Sequence, residues 1–131
     1  MLSWIKKQPL AKRILVIDDD PLLRDVLCQR LARAGYEVNS AADAEEANSL
    51  FVSFTPDVVI TDIYMPNKDG LEVIMELRQS FPNLKIIAMS GGTAKEDVLV
   101  TASSLGASYT LVKPFEAAEL LHAVQHVAAE R

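Results

Sequence analysis

The sequence predicts an α/β domain, a parallel sheet wound on both faces by helices. Short apolar runs rich in β-branched residues alternate, five times between Ile14 and Glu130, with longer segments whose apolar residues recur at helical spacing. The links are short, which suits crossovers that join parallel neighbours. Four of the five runs end in a chemically able side chain, Asp18, Asp62, Ser90 or Lys113. Open parallel sheets gather their ligands at that edge.

Met1–Lys12 comes first, a basic lead in which Lys6, Lys7 and Lys12 flank Pro9. It reads as a flexible N-terminal extension (1–12) ahead of a single domain over residues 13–131. Ile14-Leu15-Val16-Ile17 is the first strand. Asp20-Pro21 then starts a helix, with Asp as N-cap and Pro at the first helical position. Leu23, Val26, Leu27, Leu31 and Ala34 give that helix an inward face, and Gly35 closes it. Tyr36–Ser40 is the second strand. Asp43 and Glu46 form a capping box for a second helix with the stripe Ala47, Leu50, Phe51 and Phe54, stopped by Pro56.

Val58-Val59-Ile60 is too short for a helix and β-branched throughout, so it is a buried third strand ending on Asp62. Pro66, Asn67, Asp69 and Gly70 turn the chain there. Leu71–Gln79 is a third helix with Ile74 and Leu77 inward. Leu84–Met89 is the fourth strand, and Gly91-Gly92 leads from Ser90 into a fourth helix over Thr93–Leu105, whose Lys95–Asp97 start is solvated. Ser108–Val112 is the fifth strand, ending at Lys113-Pro114. The last helix runs from Phe115 to Glu130 with Leu120, Leu121, Val124 and Val127 on one face, and Met65 and Met75 read as core or rim filling.

Composition narrows the class. At 131 residues the chain is one domain with a real core. Half its residues are hydrophobic, yet no run reaches membrane-spanning length. Leu2-Ser3-Trp4-Ile5 is too short for a signal-peptide core. Cys28 is the single cysteine, which excludes an internal disulfide and fits a reducing compartment. A net charge of −5 argues against a general nucleic-acid surface. The expectation is a cytoplasmic protein with neither nucleic acid nor membrane as partner.

If the first, third, fourth and fifth strands are neighbours, Asp18-Asp19-Asp20, Asp62, Ser90 and Lys113 converge on one rim. Two like charges about 4 Å apart cost on the order of 4 kcal/mol at an effective dielectric near 20, so such a cluster must protonate or recruit a cation. A hard, oxygen-preferring ion such as Mg²⁺ fits. Lys113 adds fixed positive charge and Ser90 a hydroxyl donor. Carboxylates, cation, Lys and hydroxyl together suit phosphoryl transfer, which is mostly positioning and charge neutralisation.

Four pieces, Ile14-Leu15-Val16-Ile17-Asp18-Asp19-Asp20-Pro21, Asp62-Ile63-Tyr64-Met65-Pro66-Asn67-Lys68-Asp69-Gly70, Ser90, and Lys113-Pro114-Phe115, stand in order at spacings that resemble the receiver domain of two-component response regulators. The resemblance runs from Arg13 to the C-terminus. It implies a flavodoxin-like doubly wound five-stranded parallel sheet in the order 2-1-3-4-5, with helices on both faces. It also implies that Asp62 is the phosphoacceptor, loaded from a phosphohistidine of a sensor histidine kinase or histidine phosphotransfer protein. Asp18, Asp19, Asp62 and the backbone carbonyl of Tyr64 would hold Mg²⁺, with Mn²⁺ as an alternative. Ser90 and Gly91 would meet the phosphoryl group, Lys113 would pair with it, and Pro114 would follow a cis bond. Asp20 belongs to the helix cap, and Tyr64 would shield an acyl phosphate from water.

One position departs from the pattern. Receivers of the chemotaxis and transcription-factor type usually carry Tyr or Phe three residues before the Lys, and here that residue is Thr110; Tyr109, one residue off, points to the opposite face of the sheet. Signalling is then expected to rest on the Ser90–Gly91–Gly92 loop and the fourth helix. The expected function is a phosphorylation-switched module with no enzyme activity on other molecules. It would signal by protein contact through that loop and the face of the fourth helix, fifth strand and fifth helix, to an unknown downstream protein, with a phosphorylation-dependent homodimer as one form. Nothing follows the fifth helix, so a stand-alone receiver without an output domain is expected; a phosphorelay shuttle or phosphate sink is the close alternative, and a scaffold a weaker one. A different class, a haloacid-dehalogenase-like phosphatase, would make Asp18 the nucleophile, but Leu22 stands where that motif wants a small residue. His122 and His126 lie one helical turn apart, a metal-binding spacing without a third ligand nearby in sequence, and read as solvent-facing. Cys28 reads as a small packing residue.

Overall fold

The structure, a computed structural model, describes residues 12–64, 70–91 and 95–129, the last segment by backbone alone over 95–97. Five strands, β1 (Arg13–Ile17), β2 (Glu37–Ala41), β3 (Val58–Asp62), β4 (Lys85–Ser90) and β5 (Tyr109–Val112), form one sheet in the order β2-β1-β3-β4-β5. Every neighbouring pair is parallel. The helices among the described residues are α1 (Pro21–Arg33), α2 (Ala44–Ser53), α3 (Gly70–Ser80), α4 (Lys95–Leu105) and α5 (Ala117–Ala129). This is the doubly wound flavodoxin-like arrangement expected from the sequence. The strand order reverses between β1 and β3, the switch point outside whose carboxyl ends open α/β sheets bind their ligands.

Alternation along each strand sends neighbouring side chains into two cores. Ile14, Val16, Val58, Ile60, Ile87, Met89 and Leu111 pack with Leu27 and Leu31 of α1 and Leu120, Val124 and Val127 of α5. On the other face Leu15, Ile17, Val59, Ile86 and Ala88 pack with Phe51 of α2, Ile74 and Leu77 of α3, and Leu99 and Ala102 of α4. β3 is buried along its whole length, as a central strand covered on both faces must be.

Local chemistry starts the helices where expected. Asp20 caps α1, its Oδ1 accepting the amides of Leu22 at 3.0 Å and Leu23 at 3.3 Å, with Pro21 first in the helix. Gly35 ends the turn after α1 at φ +100°, a left-handed position that favours glycine. The Asp43 carboxylate accepts the Glu46 amide at 2.9 Å, while Glu46 reaches back to the amide of Ala42 at 3.3 Å. Thr55, at φ +49°, turns the chain between α2 and Pro56 and is held by Arg13 Nη1 at 3.0 Å.

Several expectations are corrected. Val26 and Ala34 are exposed, because α1 meets the sheet through the narrower stripe of Leu27 and Leu31, flanked by the half-buried Leu23 and Cys28. Met75 also faces out, on the side of α3 away from Ile74 and Leu77. β2 lies one residue later, at Glu37–Ala41, because its register against β1 pairs Ile17 with Ala41. α5 starts at Ala117 rather than Phe115, where Glu116 begins the first turn by accepting the amide of Leu120. Met1–Ala11, Met65, Pro66, Asn67, Lys68, Asp69, Gly92, Thr93, the side chains of Lys95–Asp97 and Glu130 lie outside the described residues.

Gly70 is placed by close approach. Its amide donates to the Ile63 carbonyl at 2.9 Å, and a Cβ at this position would strike the Ile63 backbone. Ile63 directly follows Asp62. Gly70→Ala must therefore displace the chain beside the rim, and the overpacking is expected to cost about 1–3 kcal/mol; urea unfolding of the purified variant measures it.

A carboxylate and lysine site at the carboxyl edge of the sheet

The parallel register pairs Ile17 with Thr61, so Asp18 and Asp62 follow side by side at the ends of β1 and β3. Asp18 is fully buried and Asp62 nearly so. Each uses one oxygen locally: Asp18 Oδ1 accepts the Asp20 amide at 3.0 Å, and Asp62 Oδ1 accepts the Tyr64 amide at 3.0 Å. The other oxygens share one cation. Lys113 Nζ donates to Asp62 Oδ2 at 2.8 Å and to Asp18 Oδ2 at 3.1 Å. Asp19 is exposed at the rim, and one carboxylate oxygen from each of Asp18, Asp19 and Asp62 falls within a 4.8 Å cluster.

Lys113 reaches that pair from the far side of β4. Its amide donates to the Ser90 carbonyl at 2.7 Å, and its stem lies against Gly91, where an added Cβ would sit 3.4 Å from Lys113 Cβ. A cis Lys113–Pro114 bond follows, as expected. Ser90 is fully buried, and among the described residues its hydroxyl makes one long contact, 3.4 Å, to the Gly91 carbonyl. Tyr64 is half exposed beside Asp62. Thr110 pairs with Ala88, whose side chain belongs to the α2–α3–α4 core, whereas Tyr109 pairs with Ile87 and packs against the opposite core.

Burial raises the Asp18 pKa, against the Asp20 amide and Lys113, which lower it, while the charge of Asp62 adds to the rise. Burial works against the Lys113 charge, but the hydrogen bond and charge of Asp62, then those of Asp18, outweigh it and raise its pKa. The two shifts act in different pH windows. The Lys113 contribution to stability is complete below its ordinary value and is lost as pH rises through the raised one. The ionised Asp18 costs stability above its raised pKa, and that cost is relieved as pH falls toward the ordinary carboxylate value.

Some contributors escaped the sequence. Arg24 Nη1 donates to the Asp18 carbonyl at 2.7 Å, fixing the strand end from α1; its place one turn after the Asp20 cap was the available clue. Arg78 joins the carbonyls of Pro82, Leu84 and Gly106 at 2.7–2.8 Å, tying the end of α3 to two loops. His122 and His126 are exposed on α5, as expected. Cys28 is half-buried, and burial pushes its thiol up despite a hydrogen bond with Ser40.

Comparison with known proteins gives this geometry a family. The model of the response regulator receiver domain matches residues 14–125, and the chain belongs to that family. The chemotaxis protein CheY of Thermotoga maritima is 33% identical over 120 residues, 91% of this chain and 99% of that protein. A probable transcriptional regulator, ycf27, of Porphyridium aerugineum is 44% identical over 111 residues, 83% of this chain but 45% of the relative. The chain thus spans about half the length of several curated relatives it matches. Among solved structures, Vibrio cholerae CheY4 superposes with a TM-score of 0.82 at 32% identity, over 90% of this chain and 99% of that one. NtrX of Brucella abortus gives 0.84 at 31% identity, over 90% and 27%.

Receiver domains are signalling modules that generally bind Mg²⁺ at an acidic cluster. The residues here fit such an ion: three carboxylates offer only oxygen donors, and two of them are buried like charges with one cation between them. No helix among the described residues is long and apolar enough to cross a membrane.

Proposed function

We propose that Asp62 is the phosphoacceptor of a receiver domain spanning residues 13–131, loaded from a phosphohistidine of a sensor histidine kinase or histidine phosphotransfer protein. The observation that carries this reading is the Lys113 ammonium, 2.8 Å from the Asp62 carboxylate at the central strand end, with the carboxylates of Asp18 and Asp19 beside it. An Asp62 oxygen attacks phosphorus as the phosphorus–nitrogen bond breaks, and the departing imidazole takes a proton from water. Asp18, Asp19, Asp62 and the Tyr64 carbonyl would hold Mg²⁺, or Mn²⁺ in its place, and the ion would supply charge neutralisation between carboxylate and phosphate.

Lys113 already stands on Asp62 and moves onto an incoming phosphoryl oxygen. The buried Ser90 hydroxyl, 3.4 Å from the Gly91 carbonyl, turns to donate to another, and Gly91 follows it. That movement passes through the β4–α4 loop to the α4–β5–α5 face, where a downstream protein or a second copy reads it. Thr110 lacks the ring usual in receivers of the chemotaxis and transcription-factor type, so the loop and α4 carry the change. Relatives named as transcriptional regulators share this domain. The output of the whole protein follows from whatever that face contacts.

Intact mass after incubation with acetyl phosphate tests the reading. One phosphoryl adduct per chain, dependent on Mg²⁺, is expected. An adduct that survives in Asp62→Ala but vanishes in Asp18→Ala would move the nucleophile and favour the phosphatase chemistry; no adduct in any form would favour a scaffold.

The ion should also stabilise the fold. At Mg²⁺ about tenfold above its Kd the gain is about 1.4 kcal/mol, a rise of a few degrees in Tm near neutral pH. Protonation of the carboxylates competes with the ion, so the gain should shrink as pH falls toward the carboxylate range. Thermal melts with Mg²⁺ and with EDTA at both pH values measure this.

A further inference from the structure

Away from the phosphoryl site, α5 carries His122 and His126 one turn apart, both exposed. In the sequence they lacked a companion. The structure gives them one: Tyr109 of β5 lies against both rings, its centroid 6.4 Å from His122 and 5.5 Å from His126. The two imidazoles stand near-parallel, 27° apart in plane with centroids 6.3 Å apart. A tyrosine ring anchored on the α1–α5 core limits where these side chains can swing. Holding two donors on one face is what a chelate requires.

We propose that His122 and His126 form a two-imidazole site for a borderline divalent ion of the Zn²⁺ class. Histidines at i and i+4 on a helix can reach one ion, with Zn–N bonds of about 2.0–2.1 Å once both rings turn toward it. Glu119 stands one turn before His122 on α5 and shares a surface hollow with His122 and Tyr109; its Oε1 accepts the Glu116 amide at a long 3.4 Å. Ligand softness separates this site from the rim. Imidazole selects Zn²⁺ over Mg²⁺, and the all-carboxylate cluster suits Mg²⁺. Two protein nitrogens leave coordination positions for water or for donors of another molecule. Because the site lies on the β5–α5 surface, an ion there would mark the face through which the domain is proposed to signal.

The test is a Zn²⁺ titration by calorimetry with excess Mg²⁺ present to hold the carboxylate cluster, on the full chain and on His122→Gln, His126→Gln and the double variant. Histidine ring NMR signals are followed in parallel. A chelate predicts one saturable Zn²⁺ site, joint movement of both histidine signals, and a loss of more than about tenfold in affinity in either single variant, nearly as large as in the double variant. Both positions are exposed, so unchanged circular dichroism will show that the variants fold. Zn²⁺ binding that survives in both single variants, or falls only by half in sites with each, would mean two independent surface histidines and overturn the proposal. So would Zn²⁺ binding lost in Asp62→Ala but kept in the double histidine variant.

Discussion

Asp62→Asn is expected to remove phosphoryl acceptance altogether while leaving the domain folded. The amide keeps the shape of the carboxylate, and its oxygen can still accept the Tyr64 amide that Asp62 Oδ1 accepts at 3.0 Å. It offers no anionic oxygen to attack phosphorus. Lys113 retains Asp18 at 3.1 Å, and the rim loses one of two buried like charges. Stability in the absence of Mg²⁺ should therefore hold or rise, and the loss of the adduct cannot be blamed on unfolding. Intact mass for the adduct and urea unfolding for stability check the two halves; a variant that loses both would point to a structural role for Asp62.

Lys113→Met carries the second large effect. Methionine can follow the lysine stem past Gly91, but it leaves Asp18 and Asp62 buried side by side without their shared cation. Removing one partner of a buried ionic group costs about 3–5 kcal/mol; Lys113 is 22% exposed, so about 3 kcal/mol near neutral pH is expected. Asp18, raised by burial and no longer held down by Lys113, should then bind a proton more readily in the folded chain than in the unfolded one. Stability lost at neutral pH should return as pH falls toward the carboxylate range, and Mg²⁺ should restore part of it. Urea unfolding across that pH range measures the effect. A deficit indifferent to both pH and Mg²⁺ would mean that Lys113 serves only to pack.

The fold was legible where local chemistry decides. Asp20-Pro21 and Asp43 with Glu46 carry their capping in their own side chains, and Val58-Val59-Ile60 is buried on both faces, so its apolar run has no polar alternation to confuse it. The position of the rim was legible for a related reason: Asp18, Asp62 and Lys113 end their strands, and parallel strands bring their ends together. What was not legible depends on how elements meet. Val26 lies on the helical stripe yet faces solvent because α1 meets the sheet at Leu27 and Leu31, a tilt that periodicity does not contain. Arg24 and Arg78 look like ordinary surface arginines until tertiary contacts set backbone carbonyls before them. Lys113 could be placed on the rim by its strand; that one ammonium serves both carboxylates at once is a matter of reach across β4. The histidine pair was visible, but Tyr109 comes from another strand, and only the folded chain brings it there.

The most direct test of the central claim locates the phosphoryl group itself. After incubation with acetyl phosphate and Mg²⁺, borohydride reduction converts an aspartyl phosphate to homoserine, and peptide mass mapping then finds the residue changed. Homoserine at position 62 alone is the predicted result. Homoserine at position 18 or 19, with Asp62 unchanged, would contradict the account.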